Sequence, residues 1–348
     1  MSNQLVQRFR MPAEWDIHAA TLVAWPHEVA DWPGKFGPIP WVYAEIVRRL
    51  AESEAVLLLV QPGAEKSVRA LLGKTRCDVK QVTFLEVPTD RVWMRDSGPI
   101  GVFDNERMTL LDWQFSAWAK YENWSHDNEI GKVIARQLNV PTHAPQHGNR
   151  GIVLEGGGID VNGAGLVLTT EEWLLSDAQV RNPGLTRADY EAIFAEFLGA
   201  NTTIWLGRGI VGDDTHGHVD DIARFVGPRT VITAVEKSAS DPNHELLENN
   251  LQRLRQFRDA AGTLHVIDLP MPDPIFFRKQ RLPASYANFY IANSAVLVPT
   301  FNDPNDRIAL GILADLFPAR RVIGIHAVDL VWGLGTLHCL TQQIPAAL

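Results

Sequence analysis

The sequence predicts an α/β fold, in which short strands alternate with amphipathic helices along one chain. Three observations favour this class. Short β-branched or aliphatic runs recur along the whole length and alternate with segments of helical periodicity. The chain has 348 residues, enough for a large buried core, and its 46% hydrophobic and 21% charged residues match globular proteins. Loops rich in Gly, Pro and Asp separate the elements without a low-complexity linker, so we expect a single domain over residues 1–348.

The clearest elements lie in the second half of the chain. Thr186, with Asp189 at the third helical position, predicts a helix start, and Gly199 predicts its end. Residues 202–206 then predict a strand. The apolar residues of the predicted helix fall at helical spacing and are Tyr190, Ile193, Phe194, Phe197 and Leu198.

A second helix is predicted further along, between two strands. Residues 295–298 predict the first strand and residues 322–325 predict the second. Asp303 predicts the helix cap, Pro304 fits the first turn, and Pro318 predicts the end. The expected apolar face of this helix consists of Ile308, Ile312, Leu313 and Leu316.

Composition and charge exclude several classes of protein. The longest purely apolar stretch, residues 55–60, is far shorter than the about 20 residues that cross a bilayer, so we expect no membrane partner. The amino terminus lacks the apolar core of a signal peptide, which favours a cytoplasmic location. The formal net charge of −9 disfavours nucleic acid as a partner and favours a cationic ligand. Two cysteines cannot form a disulfide framework in a chain of this length.

Four polar motifs carry the candidate chemistry, and each is weak alone. Cys339 follows a run of glycines where the backbone can bend and leave a thiol exposed in a pocket, so it could be a nucleophile. Packing as a small hydrophobe is the commoner fate of a free cysteine. Cys77 has no such setting, and we interpret it as structural. The motifs are residues 93–99 (WMRDSGP), 154–158 (LEGGG), 213–221 (DDTHGHVDD) and 333–343 (GLGTLHCLTQQ).

The histidine motif is polar at every second position. On a strand, His216, His218 and Asp220 would share one face. Two imidazoles and a carboxylate on one face fit a metal site. They also fit a metal-free site, in which a histidine is the general acid and base and the carboxylate holds a cationic substrate. A polar strand end bonded to its neighbours is the third interpretation.

Two other motifs each contain a candidate carboxylate. Asp96 could bind the edge of a planar cation while Trp93 covers its face, although a turn carboxylate paired with Arg95 is the simpler interpretation. Glu155 precedes three glycines, where a backbone can approach a ligand closely. An incidental glutamate in a glycine-rich turn is the simpler interpretation there.

Taken together and in this order, the four motifs resemble those of the agmatine deiminases and the bacterial peptidyl-arginine-deiminase-like proteins of the guanidine-modifying, or pentein, superfamily. The resemblance spans nearly the whole chain, from residues 11–15 (MPAEW) through residues 282–290 (LPASYANFY) to residues 342–343 (QQ). It implies a pentein fold, an α/β propeller of five ββαβ units around a central active-site pocket.

The resemblance also implies roles for single residues. Cys339 matches the nucleophile, His218 the general acid and base, and Glu155 the acid that orients the histidine. Asp96 and Asp220 match the carboxylates that bind the guanidinium. The remaining expected substrate contacts are Trp93, Trp118, Asp214 and His216.

The activity implied is the hydrolysis of agmatine to N-carbamoylputrescine and ammonia through an amidino-cysteine intermediate, with no metal and no cofactor. The expected partner is a small cationic guanidine whose distal amine faces Asp214. Deimination of free or peptidyl arginine by the same residues is the alternative, and a metal-dependent hydrolase is a more distant one. The sequence leaves a homo-oligomer open. Three departures from the family pattern bear on the substrate's far end: His216, Asp160 and Ala119-Lys120.

Overall fold

Helices and strands alternate along the chain in the computed structural model, which describes residues 8–347. This alternation confirms the predicted α/β class. Within residues 8–347, no helix has both the length and the apolar character needed to span a bilayer. The expectation about the amino terminus rests largely on residues 1–7, which lie outside the described residues. The helices are α1 (Ile39–Leu50), α2 (Glu65–Lys74), α3 (Met94–Ser97), α4 (Ile130–Leu138), α5 (Glu171–Leu175), α6 (Arg187–Leu198), α7 (Asn243–Gln256) and α8 (Asn305–Leu316).

Five sheets of three or four strands form the framework of the described chain. Each sheet contains an antiparallel pair, and a helix connects that pair to a further strand that runs parallel. In spatial order the strands are Thr341–Pro345, His18–Ala24, Ala55–Val60 and Val82–Glu86 in the first sheet; Phe9–Arg10, Ile100–Asp104, Arg107–Leu111 and Thr142–His143 in the second; Asp160–Val161, Leu166–Thr170 and Thr202–Leu206 in the third; Ala223–Gly227, Thr230–Val235 and His265–Pro270 in the fourth; and Tyr290–Ile291, Ala295–Thr300 and Arg321–His326 in the fifth.

Short hairpins and 3-10 turns link the sheets. The hairpins pair Gln146–His147 with Arg150–Gly151, Arg258–Asp259 with Gly262–Thr263, and Phe276–Phe277 with Gln280–Arg281. The 3-10 turns that matter for the site are Gly156–Gly158, Val219–Asp221 and Leu330–Gly333. These irregular segments leave polar side chains free to point away from the sheets.

The helix predicted from Thr186 is α6, and its ends are the predicted ones. The backbone N–H of Thr186 donates to the Asp189 carboxylate at 2.8 Å, and the Thr186 hydroxyl accepts from the Asp189 N–H. Gly199 ends the helix with φ +68°, a left-handed conformation that costs glycine little. The strand that follows, Thr202–Leu206, is also confirmed.

Helix α8 confirms the second predicted helix but not its whole apolar face. The Asp303 carboxylate accepts from the backbone N–H of Asn305 at 2.7 Å, as expected of a cap. Ile308 is 49% exposed, so its predicted place on the buried face is wrong. Ala309 and Leu313 form the buried stripe instead. The helix lies against the sheet along this narrow stripe, and periodicity alone does not show how wide such a contact is.

The fold brings the four motifs together. Helix α3, which carries Asp96, lies against the turn Gly156–Gly158 and against the strand Thr341–Pro345 that follows Cys339. The turn Val219–Asp221 in turn contacts Gly156–Gly158. Residues more than 100 positions apart in sequence therefore meet at one place, as the resemblance requires.

Candidate active site

A cavity of about 330 Å³ lies where the motifs meet. The predicted site residues that line it are Trp93, Asp96, Trp118, Asp214 and Cys339. Lining residues for which the sequence predicted no role include Asp31, Arg91, Tyr121, Gln280 and Trp332. The other predicted catalytic residues, Glu155, His218 and Asp220, are fully buried beside Asp96 and Cys339. Among the predicted residues, only His216 is separate from this group.

Cys339 follows a tightly bent segment, as the glycine-rich sequence predicted. Leu334 has φ +70°, and a Cβ atom on Gly335 would lie 2.7 Å from the Trp93 ring, so only glycine fits there. Cys339 is 7% exposed, and Asn288 donates from Nδ2 to its Sγ at 3.0 Å. The bend therefore presents the thiol to the cavity while the amide of Asn288 restrains it.

The surroundings of the thiol disfavour its anion in the empty site. Burial raises the pKa of Cys339 well above its usual range, and neighbouring carboxylates raise it further, those of Asp220, Asp221 and Asp96. Asp220 Oδ2 is 3.7 Å from Sγ. Since a thiolate among carboxylates is unfavourable in a buried site, the thiol keeps its proton until a cation enters.

Asp96 is held rigidly at the wall of the cavity. Its carboxylate accepts from Trp118 Nε1 at 2.8 Å and from the backbone N–H of Gly157 at 3.1 Å. A Cβ atom on Gly157 would lie 2.6 Å from His218 Nδ1 and 2.8 Å from Asp96 Oδ1, so this position requires glycine. Burial raises the pKa of Asp96 to about 6, against the opposing effect of His218.

Glu155 fixes the ring of His218. Glu155 Oε2 lies 3.3 Å from His218 Nε2, and the carboxylate also accepts from Trp173 Nε1 at 2.6 Å and Arg181 Nε at 3.1 Å. Burial would raise the pKa of Glu155, but Arg181 and His218 lower it to about 2. Burial would lower the pKa of His218, but Asp96 and Glu155 raise it to about 9. The pair is therefore an imidazolium beside a carboxylate at neutral pH.

Two buried polar atoms at the centre of the site have no hydrogen-bond partner in the described chain. They are His218 Nδ1 and Asp220 Oδ1. Asp96 Oδ1 is 3.6 Å from His218 Nδ1, beyond hydrogen-bond distance. An unpaired buried polar group costs about 1 to 3 kcal/mol. Their common location beside Cys339 indicates a polar ligand that supplies the missing partners.

His338 bridges two carboxylates, a role the sequence did not reveal. Its Nδ1 lies 2.7 Å from Asp220 Oδ2 and its Nε2 lies 2.8 Å from Glu14 Oε2. An imidazole that donates from both nitrogens is cationic. Burial would raise the pKa of Glu14, but Arg224, His338 and Arg95 lower it well below its usual value. His338 and Glu14 lie within sequence motifs of the resemblance, yet only their contact across the fold gives them a function.

Two of the departures from the family pattern have structural explanations. Asp160 does not line the cavity; its carboxylate pairs with the buried Arg224 and accepts from the backbone N–H of Phe225 at 2.9 Å. It therefore belongs to the buried ion network and not to the substrate's far end. Ala119 has φ +51°, a left-handed conformation that glycine adopts without steric cost, which accounts for the glycine usual at this place.

The predicted strand face that includes His216 does not form. His216 and Gly217 have φ +66° and +101°, and a 3-10 turn at Val219–Asp221 follows. The backbone N–H of Gly217 donates to Asp213 Oδ2 at 2.7 Å, so a side-chain-capped turn replaces the strand. The ring of His216 lies 3.1 Å from Ser176 Oγ and does not line the cavity. Its predicted place at the substrate is therefore wrong.

The outer end of the cavity carries two ion pairs. Asp214 Oδ2 accepts from the Tyr121 hydroxyl at 2.7 Å, and Asp214 Oδ1 contacts the ammonium of Lys120, the remaining departure from the family pattern. Asp31, which no sequence pattern marked, pairs with Arg91 at 2.5 Å. The expected acidic residue is thus present, but a cation of the chain itself occupies it.

The same geometry bears on the metal alternative. Within the part of the chain that the structure describes, no group of three or more His, Cys, Asp or Glu side chains is arranged to hold a metal ion. The three residues that suggested a metal site diverge: His216 contacts Ser176, His218 contacts Glu155, and Asp220 contacts His338.

Comparisons with known proteins agree with this site. The sequence matches the family model of Porphyromonas-type peptidyl-arginine deiminase over residues 10–345. A relative from Legionella pneumophila (strain Philadelphia 1) is 36% identical over 344 residues, covering 97% of this chain and 95% of the relative. The agmatine deiminase of Ectopseudomonas mendocina is 33% identical over 363 residues, covering 97% and 96%. The solved structure of an agmatine deiminase from Enterococcus faecalis has a TM-score of 0.89 and 30% identity, covering 98% and 97% of the two chains.

Proposed function

The chain belongs to the family of Porphyromonas-type peptidyl-arginine deiminases, and from that membership we propose that it is an agmatine deiminase. Agmatine is a small guanidine with a cationic group at each end. The enzyme hydrolyses it to N-carbamoylputrescine and ammonia, using the side chains of the chain itself and no cofactor. Its partner is this small cation, which the net charge of −9 attracts.

One observation carries the proposal: the thiol of Cys339 lies within 3.7 Å of the Asp220 carboxylate, beside buried polar atoms that lack partners. A guanidinium is protonated at every physiological pH and presents its N–H donors in a rigid fork. We assign Asp96 and Asp220 to this fork, because each is a buried carboxylate next to the thiol. Trp93 and Trp118 line the cavity and suit the flat faces of the cation.

The bound cation activates the nucleophile. A guanidinium between Asp96 and Asp220 opposes the carboxylate charges that hold the pKa of Cys339 high, so the thiol loses its proton beside the substrate. The thiolate sulfur attacks the guanidinium carbon, and a C–S bond forms. His218, cationic below about pH 9, donates its proton to the departing nitrogen. The C–N bond breaks, ammonia leaves, and an amidino group remains on Cys339.

Hydrolysis of the amidino-cysteine uses the same groups in the opposite sense. His218 is neutral after donating its proton, and it accepts one from an entering water. The water oxygen adds to the amidino carbon, the C–S bond breaks, and its electron pair returns to Cys339 as a thiolate. The product is the ureido compound. Glu155 keeps the ring of His218 oriented through both steps, since it contacts Nε2 and leaves Nδ1 toward the reacting groups.

We further propose that the five sheets are the blades of one pentein propeller, with the cavity at its centre and residues 1–348 as a single catalytic domain. The support is the repeated order of an antiparallel pair, a helix and a parallel strand in each sheet. Such a repeat explains why the site residues come from distant parts of the sequence.

Free or peptidyl arginine remains the alternative substrate. An arginine α-carboxylate needs a basic partner, and Lys120 and Arg91 at the outer end are each already paired with a carboxylate. The acidic Asp213-Asp214 pair counts less against arginine than its sequence suggested. Asp213 binds the backbone of its own loop, and Asp214 binds Lys120.

An ammonia-release assay with agmatine, free arginine and a peptidyl arginine tests the proposal. We expect the highest kcat/KM with agmatine and N-carbamoylputrescine as the product by mass spectrometry. A preference for arginine would favour the alternative substrate. Activity that is lost on chelation and restored by zinc would favour a metal-dependent hydrolase instead.

The variant Cys339→Ser tests the chemistry. We expect kcat to fall at least about 1,000-fold while the melting temperature stays near that of the wild type, because a serine hydroxyl does not ionise as a thiol does. The wild-type enzyme quenched during turnover should carry the added mass of an amidino group on Cys339. Near-normal activity of the serine variant would show that Cys339 is not the nucleophile.

A further inference from the structure

The two carboxylates at the outer end of the cavity differ in how many of their oxygens are free. Both oxygens of Asp214 are occupied, one by the ammonium of Lys120 and the other by the Tyr121 hydroxyl at 2.7 Å. Lys120 also lies over the Tyr121 ring, 5.6 Å from its centroid. A substrate ammonium could reach Asp214 only by displacing a lysine that the chain supplies.

Asp31 is occupied on one side only. Its Oδ1 accepts from Arg91 Nη1 at 2.5 Å, whereas its Oδ2 is buried without a hydrogen-bond partner. The Asp31 side chain is 5% exposed, and the residue lines the cavity. An unpaired buried carboxylate oxygen is uncommon and unfavourable, so its retention beside a ligand cavity indicates a missing cationic partner.

The contacts around Asp31 hold it in place for such a partner. The 3-10 turn Val29–Asp31 is capped by the Glu28 carboxylate, which accepts from the backbone N–H of Ala30 at 2.9 Å. Arg91 is fixed over the Tyr121 ring at 4.2 Å. Rotation about the last side-chain bond of an aspartate is soft, so the free oxygen can turn to a ligand in the cavity.

We propose that Asp31, rather than Asp214, accepts the distal ammonium of the substrate and thereby selects guanidines that carry a second positive charge. The inference rests on the proposed function, since it deepens the choice of substrate at the same site. Burial raises the pKa of Asp31 to about 6, with Arg91 opposing the rise. The carboxylate is therefore anionic above that pH and available to an ammonium.

The test compares agmatine with n-butylguanidine, which has the same four-carbon chain and no amine. The measured quantity is the ratio of the two kcat/KM values within one preparation, from which any loss of folded enzyme cancels. We expect Asp31→Asn to lower this ratio about 10-fold to 100-fold by slowing agmatine turnover, as for loss of one charged hydrogen bond. Asp214→Asn should change the ratio less than about threefold, as for an exposed ion pair.

A double variant separates attraction by Asp31 from repulsion by the Arg91 that it leaves unpaired. In Asp31→Asn/Arg91→Met both charges are gone. If Asp31 binds the ammonium, the ratio stays low in the double variant. A ratio restored to the wild-type value would mean that Asp31 only neutralises Arg91, and the proposal would be wrong.

The pH dependence gives a second readout on the wild-type enzyme. Since Asp31 gains a proton as the pH falls through about 6, the preference for agmatine over n-butylguanidine should decline there in the wild type and not in Asp31→Asn. An unchanged ratio in Asp31→Asn, or its loss in Asp214→Asn alone, would overturn the assignment. Release of ammonia from neither compound by the wild type would instead overturn the proposed function.

Discussion

The two ends of the cavity hold similar charges in different surroundings. At the reacting end, Asp220, His338 and Glu155 are at most 1% exposed, and each contacts an oppositely charged group. At the outer end, the Lys120 side chain is 40% exposed and that of Asp214 is 15% exposed. Buried charges interact strongly, and removing one leaves its partner unpaired, whereas exposed pairs contribute little.

The difference indicates a division of labour. The buried network sets protonation states, as the pKa values near 9 for His218 and near 2 for Glu155 illustrate. The outer pairs set which far end of a substrate is tolerated, and they can be altered without disturbing the chemistry. Substitutions at the reacting end should therefore slow every guanidine alike, and substitutions at the outer end should change the preference among guanidines.

The largest effect is expected from Glu155→Gln at the reacting end. We predict a fall in kcat of about 100-fold, the size typical of losing general acid–base catalysis. Because Asp96 and Glu155 raise the pKa of His218 to about 9 against the effect of burial, the wild-type ring is cationic below that pH. With one carboxylate removed, that pKa falls, so the alkaline limb of kcat/KM should move to lower pH. Ammonia release measured as a function of pH checks both effects.

Glu54→Gln is a matched control for that variant. Glu54 is also a buried glutamate that contacts a histidine, since its Oε1 lies 3.4 Å from His18 Nδ1, but neither residue lines the cavity. We expect this variant to lower the melting temperature and to keep the wild-type alkaline limb. If the limb stayed in place in Glu155→Gln, Glu155 would not control His218.

The next effect is expected from His338→Gln, which removes the cation between Asp220 and Glu14. We predict that kcat/KM falls about 10-fold to 100-fold, as for loss of a charged hydrogen bond to Asp220. Because Asp220 acts on the guanidinium, agmatine and n-butylguanidine should lose equally, and their ratio should stay at the wild-type value. The buried His18→Gln, remote from the cavity lining, is the control and should keep normal kcat/KM. A changed ratio would place His338 at the outer end in effect.

A smaller effect in the opposite direction is expected from Lys120→Met. Freeing Asp214 from its internal partner should raise kcat/KM for agmatine about threefold, as for loss of an exposed ion pair, and leave n-butylguanidine unchanged. Lys132→Met removes the same charge from an exposed pair with Glu129, away from the cavity lining, and should change neither substrate. Equal gains for both substrates in Lys120→Met would contradict a specific role for Asp214.

The smallest effect is expected from His216→Asn. Since the ring contacts Ser176 and does not line the cavity, kcat/KM for agmatine should stay within about twofold of the wild type, the range of a surface substitution. The pH profiles of the two proteins should superimpose. A profile that falls less steeply toward acid in the variant would show that the imidazole does sense the substrate.

Much of the fold was predictable where the signals are local. The cap at Thr186 and the stop at Gly199 act through hydrogen bonds and dihedral angles of neighbouring residues, and both ends of α6 are confirmed. The exposed Ile308 shows the limit of periodicity, because the width of a buried face depends on what packs against it. The turn at His216 shows another, because an aspartate three residues earlier competes for the backbone that a strand needs.

The sequence by itself determined the class of fold, the order of the motifs and the residue types that the chemistry needs. The tertiary structure decided which of them meet. Asp220 and His338 lie 118 residues apart and share a hydrogen bond of 2.7 Å, and the free oxygen of Asp31 is identifiable only once its neighbours are known. The physical reason is that pKa values, pairing and burial depend on distances through space. Local sequence controls turns and caps, whereas the pairing of charges depends on the packing of the whole chain.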